Sequence, residues 1–474
     1  MKRVRAYITV YLTLVIGVLL VLVLMIMDGV RRQTVRYETE YVMDAGMNSI
    51  FAEYHRKMYE RYGLLFIDDA YGGSCGSTEN TKVHLLSYMN INFENAGREG
   101  KELTDIRADN GQIDKVSFAT DKDGTVLRYQ ILRLSETNGS NSYDRALLSD
   151  LDEQLDKYDI YCERREEVNN RIKEIEEEIN QRKRAAKEDE ITISTIADSV
   201  ETLSQDNALA YALGSGVELT AAIIEPDQYI SHRDYTEGYG LYEGQEDPYG
   251  EIAEQKFISY VLEECGYFDH PREGSRLNYQ VEYILEGEAE DLINLSLVAS
   301  DIFKVRYSVN MDCLMSNGSM QEEAYREAEA AVAVYNNEEL TQCVRDSILL
   351  AWGYAESAAD VRRVFDGGGV AKCKTSGSWN IPLSELGDFK NRLSTAGGGN
   401  SEIKYEDYLA GFLNLLSERE QNLRLMDIFE MDIRMTEGNS NFKADNLIYQ
   451  LEAKVNVSSG YGYAYDICRQ FSYD

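Results

Sequence analysis

At 474 residues with 43% hydrophobic content, the chain is long enough for two or three packed units and too apolar to be disordered. Acidic residues outnumber basic ones by 83 to 48, and the resulting net charge of -35 repels phosphate backbones, which argues against nucleic acid as a partner. The 7 cysteines are never spaced C-x-x-C and are too scattered for a disulfide framework or a zinc ribbon. A single pair such as Cys343–Cys373 could bridge, but isolated buried thiols fit the spacing better.

The first element is an uncharged run from Ala6 to Met27, dominated by Val, Leu and Ile. Its 22 positions meet the roughly 20 that a helix needs to cross a bilayer. The apolar part of a cleaved signal is shorter, about 7–15 residues, and ends in small residues. This run ends Met25-Ile26-Met27-Asp28, so an uncleaved anchor fits better. Lys2, Arg3 and Arg5 precede it and Arg31, Arg32 and Arg36 follow it, so the flanking charge is balanced. The short N-terminus is assigned to the cytoplasm and the acidic body to the outside, because a long domain crosses regardless of its charge.

Beyond the span, Val30, Thr34, Tyr37, Tyr41, Ala45, Asn48, Phe51, His55, Met58 and Tyr62 recur at steps of three or four. This spacing predicts that the helix continues with one apolar stripe to Tyr62, as a rod on the order of 85 Å long from Ala6. Gly63 stands where a helix-terminating glycine belongs, and Leu64–Ile67 reads as a short buried strand. Gly72 to Gly76 is a loop. Val116, Phe118 and Thr120 alternate before Asp121-Lys122-Asp123-Gly124, with Val126, Arg128 and Gln130 after it, which predicts a β-hairpin. Asp121, Asp123 and Gly124 lack the spacing and closing Glu of a calcium loop.

From Tyr143 to about Glu190 the chain is charged and helical, with Leu148, Leu151, Leu155, Tyr158 and Cys162, then Val168, Ile172, Ile175 and Ile179, at 3–4 spacing. A second helix is expected from Ile191 to Leu213, before Gly214-Ser215-Gly216. The broken heptads favour a hairpin within one chain over a coiled coil between chains, which would make a homo-oligomer. Ser231 to Gly250, rich in Gly and Tyr, is an exposed loop. Leu277, Tyr279, Val281, Tyr283 and Leu285 alternate as a strand. Helices follow over Ala289–Val305, Gln321–Phe365 with a break near Asn336-Asn337, and Tyr405–Arg434, punctuated by Gly367–Gly369 and Gly397–Gly399. Leu447, Tyr449, Leu451, Ala453, Val455 and Val457 alternate as a final strand, before a Gly- and Tyr-rich tail.

The expected fold is α+β and mainly helical: a transmembrane helix continuing into a long pilin-like helix, a small antiparallel sheet and a charged helical hairpin. Its parts are an anchor with basic flanks (1–36), a juxtamembrane helix with the sheet (37–142), the hairpin (143–225) and a C-terminal α+β body (226–474).

Residues for catalysis are scarce. The 4 histidines, His55, His84, His232 and His270, form no H-E-x-x-H, and neither a G-x-S-x-G elbow nor a P-loop is expected. His55 belongs to the juxtamembrane stripe and reads as a packing residue. Carboxylates are so numerous that a pair has no diagnostic value. No catalytic, cofactor-binding or metal-binding residue is assigned, and no cofactor is expected. The Tyr235–Tyr249 loop is the one cluster with the composition of a binding surface.

Four blocks carry a family likeness. They are Tyr7–Leu14 with Met43–Tyr54 and Tyr62–Asp68; Val281–Gly287; Ala351–Ser357 with Asp360-Val361-Arg362; and Tyr405–Leu409 running to Arg434. Together they resemble an uncharacterised family of membrane-anchored proteins of anaerobic Gram-positive bacteria, itself similar to the minor pseudopilins of tight-adherence (Tad) pilus systems. The resemblance implies a non-enzymatic accessory subunit whose partners are the lipid bilayer and pilus or secretion-system subunits. Pilins carry a Gly before the processing site and a Glu at the fifth mature position, whereas processing after Ala6 would put Tyr11 there. A permanently anchored subunit therefore fits better than a fibre-forming one. The alternative is an envelope-anchored adhesin or binding module that uses the Tyr/Gly loop, and an extracytoplasmic hydrolase lacks a nucleophile to name.

Overall fold

The computed structural model describes residues 2–96, 104–138, 150–201, 208–214, 217–240, 250–393 and 402–473. Its first helices are α1 (Lys2–Phe51), α2 (Arg56–Tyr62), α3 (Thr78–Ala96), α4 (Asp121–Asn138), α5 (Leu151–Ala186), α6 (Asp198–Glu201) and α7 (Ala208–Ala212). These are followed by α8 (Ala253–Glu264), α9 (Gln280–Glu286), α10 (Asp291–Ser316), α11 (Gly318–Val332), α12 (Glu338–Phe365), α13 (Tyr405–Leu415) and α14 (Glu418–Arg434). The strands are β1 (Ile67–Asp68), β2 (Ile106–Phe118), β3 (Val370–Ala371), β4 (Glu402–Ile403), β5 (Leu447–Ser459) and β6 (Ala464–Ser472). The fold is mainly helical with a small antiparallel sheet. It forms two compact units: Met1–Leu134 with Arg233–Pro248 and Phe429–Asp474, and Ser135–His232 with Tyr249–Ile428. Each unit is assembled from segments distant in sequence.

In the first unit β5 is the central strand. It pairs antiparallel with β2 along one edge, and with β1 and then β6 along the other. Alternate β5 residues Leu451, Ala453, Val455 and Val457 point into the core, as the period of a half-buried strand requires. Val42, Met43, Met47 and Ile50 of α1 and Leu85, Met89 and Phe93 of α3 pack with them. The uncharged segment of α1 from Tyr7 to Met27, by contrast, leaves nearly all of its apolar side chains bare. Among the described residues α1 is the one helix long and apolar enough to cross a membrane.

The juxtamembrane stripe lies on a different face from the one the spacing picked out. Tyr37 and Tyr41 are 63% and 75% exposed, while Val35, Thr39, Val42, Met43, Met47 and Ile50 are buried. The continuous rod to Tyr62 is also corrected, because α1 stops at Phe51. The chain turns through Ala52–His55, and His55 caps α2 by accepting a hydrogen bond from the Met58 amide at its Nδ1 (3.1 Å). Gly63 does end α2, at φ 70°, a left-handed conformation that glycine adopts without penalty.

After β2 the expected turn is present, with Lys122, Asp123 and Gly124 all left-handed, but it opens α4 and not a second strand. Val126, Leu127, Arg128, Gln130, Ile131 and Leu132 are all buried along that helix, so burial on nearly every side leaves the alternation without a solvent face to mark it. The hairpin partner of β5 is instead β6, in the Gly- and Tyr-rich tail.

The second unit is built around α10 and α12, with α5 and α7 packed against both and α11 against α12. From Asp346 to Val361, α12 is buried on every side. Gly353 allows the close approach of α10, since a Cβ there would stand 2.5 Å from the Met311 Sδ. The break expected at Asn336-Asn337 separates α11 from α12, and the Asn337 side chain caps the latter.

Three expectations fail here. The stretch 280–286 is the helix α9 and not a strand; Gln280 to Ile284 are all buried, which removes the polar phase that distinguishes the two periods. Tyr405–Arg434 is two helices, parted where Ser417 exchanges hydrogen bonds with Glu420 as a helix-starting pair. The charged hairpin keeps its first arm, α5, but the second arm expected from Ile191 starts only at Asp198: its described parts are α6 and α7, and residues 202–207 between them lie outside the described residues. Beyond α5, Ile191 and Ile193 are held in a non-helical return segment by Asn180 and Glu176 of that helix; β-branched Ile and Thr weaken helix there, and Ser competes for backbone hydrogen bonds. Its other partners are helices of the same unit: Lys157 and Tyr161 bond Asp312 of α10, and Arg164 bonds Asp346 of α12. Residues 143–149, Ser215-Gly216 and Gly397–Gly399 lie outside the described residues.

The face of α1 that holds the sheet is open to a direct comparison. Met47→Ala is expected to destabilise the first unit by about 2–5 kcal/mol, as for other buried truncations. Tyr41→Ala is expected to leave thermal unfolding in detergent micelles unchanged; equal effects would place the contact face elsewhere.

Candidate functional site

The best-defined concavity is a cavity of about 250 Å³ in the second unit. Leu151 and Gln154 of α5, Arg306 and Cys313 of α10, Lys374 and Tyr408 contribute to its wall. Arg306 is 1% exposed, and a buried guanidinium needs partners for both its charge and its N–H groups. It donates to Asp360 Oδ2 from Nε and Nη2 (3.0 and 2.9 Å) and to the Ala371 carbonyl from Nη1 (2.9 Å). Asp360 also accepts from Lys374 Nζ (2.5 Å) and Asn310 Nδ2 (3.1 Å). Lys374 reaches Glu356 at 2.7 Å, and Glu356 in turn receives the backbone amides of Asn380 and Ile381. Burial alone would raise the Asp360 carboxyl, but Arg306 and Lys374 beside it hold it below its ordinary range.

Two cations and two carboxylates therefore neutralise one another behind the cavity wall. The Tyr408 hydroxyl, buried beside Arg306, has no hydrogen-bond partner in place, and neither has Gln154 Oε1. Burial pushes the Cys313 thiol up, so it stays protonated and is a poor nucleophile. The arrangement clamps α10, α12 and the segment after β3 together, and the cavity beside it offers hydrogen bonds to a guest.

A second buried carboxylate behaves differently. Glu282 of α9 accepts from the Tyr405 hydroxyl (2.6 Å) and the Phe268 amide (2.9 Å), while its other oxygen is unpartnered. With no cation opposite, burial pushes its pKa up to about 8.

The residues weighed from sequence are scattered through structural roles. His55 caps α2 and meets Asn439 through Nε2 (3.0 Å), and His84 faces Glu53. Asp121 serves the turn itself, accepting from Ser117, the Phe118 amide and the Gly238 amide (2.6 Å). In the Tyr/Gly loop, Tyr235 bonds Asp123 and Tyr239 bonds the Ile113 carbonyl, so its described part is tied back to β2 and the turn; residues 241–249 lie outside the described residues. Cys343 and Cys373 are free thiols, and of the cysteines only Cys265 and Cys313 are buried. Gly72-Gly73-Ser74-Cys75-Gly76 does spell G-x-S-x-G, against the expectation that the motif is absent. It is no nucleophile elbow: Ser74 is exposed in a long loop between β1 and α3, where a sharp strand-to-helix turn is required. Asp114, Glu452 and Cys468, adjacent across β2, β5 and β6, bring three potential metal-ligating atoms within 4.8 Å of one another. Glu452 is already paired with Lys115 (3.1 Å), and burial raises the Cys468 thiol, both unfavourable to a cation there.

Residues 186–459, more than half of the chain, match the Family of unknown function (DUF5702), and the protein belongs to that family. Among curated proteins and among solved structures, none matches.

Two measurements bear on the buried charges. Asp360→Asn removes the carboxylate opposite Arg306 in the core, while Lys374 keeps Glu356, and is expected to cost about 3–5 kcal/mol, the usual consequence of breaking a buried ion pair from one side. Glu282 releases its proton near pH 4.5 when unfolded but near 8 when folded. The folded state thus binds the extra proton between those values, and stability falls as pH rises through them by at most about 1.4 kcal/mol per pH unit. Glu282→Gln is expected to flatten that slope in denaturation midpoints taken across the window; an unchanged slope would assign it to other groups.

Proposed function

We propose that the protein is a membrane-anchored, non-catalytic structural subunit of a Tad-like pilus or secretion apparatus, comparable to a minor pseudopilin, with its body outside the cytoplasm. The observation that carries this reading is the division of labour along α1. Its segment from Tyr7 to Met27 is uncharged and almost entirely bare, as a lipid-facing segment must be, and its second half buries Met43, Met47 and Ile50 under an antiparallel sheet. Pilin-like subunits are built on the same plan. The buried charges of the second unit fit a structural role as well, since Arg306, Lys374, Asp360 and Glu356 are engaged with one another. A long acidic body can be translocated regardless of its charge.

In the native host, protease added to intact cells is expected to degrade the body, and deletion of the pilus-assembly ATPase is expected to reduce the surface-exposed fraction. Digestion only after lysis would reject the outward placement. Surface display that is indifferent to the ATPase would reject the assembly role.

A further inference from the structure

We infer that the tip of the β5–β6 hairpin is a phospholipid-headgroup contact, formed by Tyr461 and Tyr463 with Arg31 and Arg32, which seats the sheet on the membrane surface. This rests on reading α1 as a membrane anchor.

The depth of the tip follows from the helix. Tyr7 to Met27 spans about 31 Å at 1.5 Å per residue, matching the roughly 30 Å of bilayer hydrocarbon. Asp28, Arg31 and Arg32 are the first charged residues beyond it. They lie within about 8 Å of its end, which is the thickness of the headgroup layer. The hairpin is pinned at this level. The Tyr463 hydroxyl donates to Asp28 Oδ1, and the Tyr465 hydroxyl reaches the Arg32 carbonyl at 3.5 Å. Arg31 stacks over the Tyr461 ring at 4.3 Å, and Arg32 over the Tyr463 ring at 5.2 Å. Farther along α1 the same sheet is held by Arg469 to Asp44 (2.7 Å) and by the packing of Met43 and Met47, so the tip cannot rise away from residues 28–32 without undocking the sheet.

The chemistry suits that depth. Tyrosine rings favour the boundary between hydrocarbon and water, and a guanidinium forks onto phosphate oxygens. Arg32 shares its charge with Asp28 (3.0 Å), which leaves Arg31, stacked and aimed by Tyr461, as the phosphate donor. At the opposite end of the span Tyr7 and Tyr11, 77% and 71% exposed, form a matching aromatic girdle. The tertiary fold thus supplies the girdle that the local sequence around residue 28 lacks.

The full chain, reconstituted in phosphatidylglycerol-containing vesicles, permits a depth measurement. Tyr461→Trp and, separately, Tyr463→Trp add emission to that of Trp352 and Trp379, which the unsubstituted protein reports alone. Lipids brominated near the glycerol end of the acyl chain are expected to remove about half of the added emission, and lipids brominated near the methyl end much less. Leu20→Trp, within the span, is expected to show the reverse order. Added emission that ignores every brominated lipid but is quenched by aqueous iodide, with Leu20→Trp still quenched from the lipid, overturns the headgroup contact and leaves the anchor standing. If Leu20→Trp also escapes the brominated lipids, the anchor fails and the contact with it. Two tip variants keep the result readable should either misfold.

Discussion

The first unit depends on one helix that carries two different surfaces. From Tyr7 to Met27 α1 carries apolar groups around its whole circumference and is long and apolar enough to cross a bilayer. From Val35 to Ile50 the apolar groups narrow to one face, because the other is wet and only the sheet must be satisfied. No break in the helix marks the change, so the backbone hydrogen bonds continue from one environment into the other. The sheet has no comparable independence. Its buried face is covered by α1 and α3, and without them Leu451, Val455 and Val457 would lie open to water.

In the second unit the ordering agent is charge as much as apolar burial. A helix buried on every side, such as α12, has to place its polar residues somewhere, and here Glu356, Ser357 and Asp360 line up on the turn facing α10. Arg306 and Lys374 answer them. Such a cluster contributes little net stability compared with an apolar filling of the same volume, but it is unforgiving of partial loss. Its value lies in specifying one arrangement of α10, α12 and the strand segment near Ala371, since a slipped packing would strand a full charge.

What could be read from the residues depended on whether local pattern and tertiary environment agreed. The span, the Gly63 cap, the Asn336-Asn337 break and the alternation of β5 each rest on a local rule that the fold leaves in force. The face of α1 was misread because Tyr37 and Tyr41 look apolar in a periodicity count yet tolerate exposure through their hydroxyls. At α9 total burial erased the periodicity, though Gly287, left-handed just past Glu286, was a usable stop signal. Ser417 and Glu420 spelled out the start of α14 and went unread. The ion cluster had no sequence signature: Arg306, Glu356, Asp360 and Lys374 are ordinary charged residues among many, and only the packing of α10 on α12 distinguishes them.

The order of the sheet along the chain has a bearing on biogenesis. β2 emerges with the first unit's helices, but its partner β5 follows more than 300 residues later, after almost all of the second unit. At typical elongation rates that interval is on the order of tens of seconds. Throughout it the Met43–Met47 face of α1 has no sheet to bury it, while the intervening unit has all the segments it needs to fold. If α1 anchors the chain as proposed, the nascent chain would wait at the bilayer with that greasy face close to lipid, away from other chains with which it could aggregate.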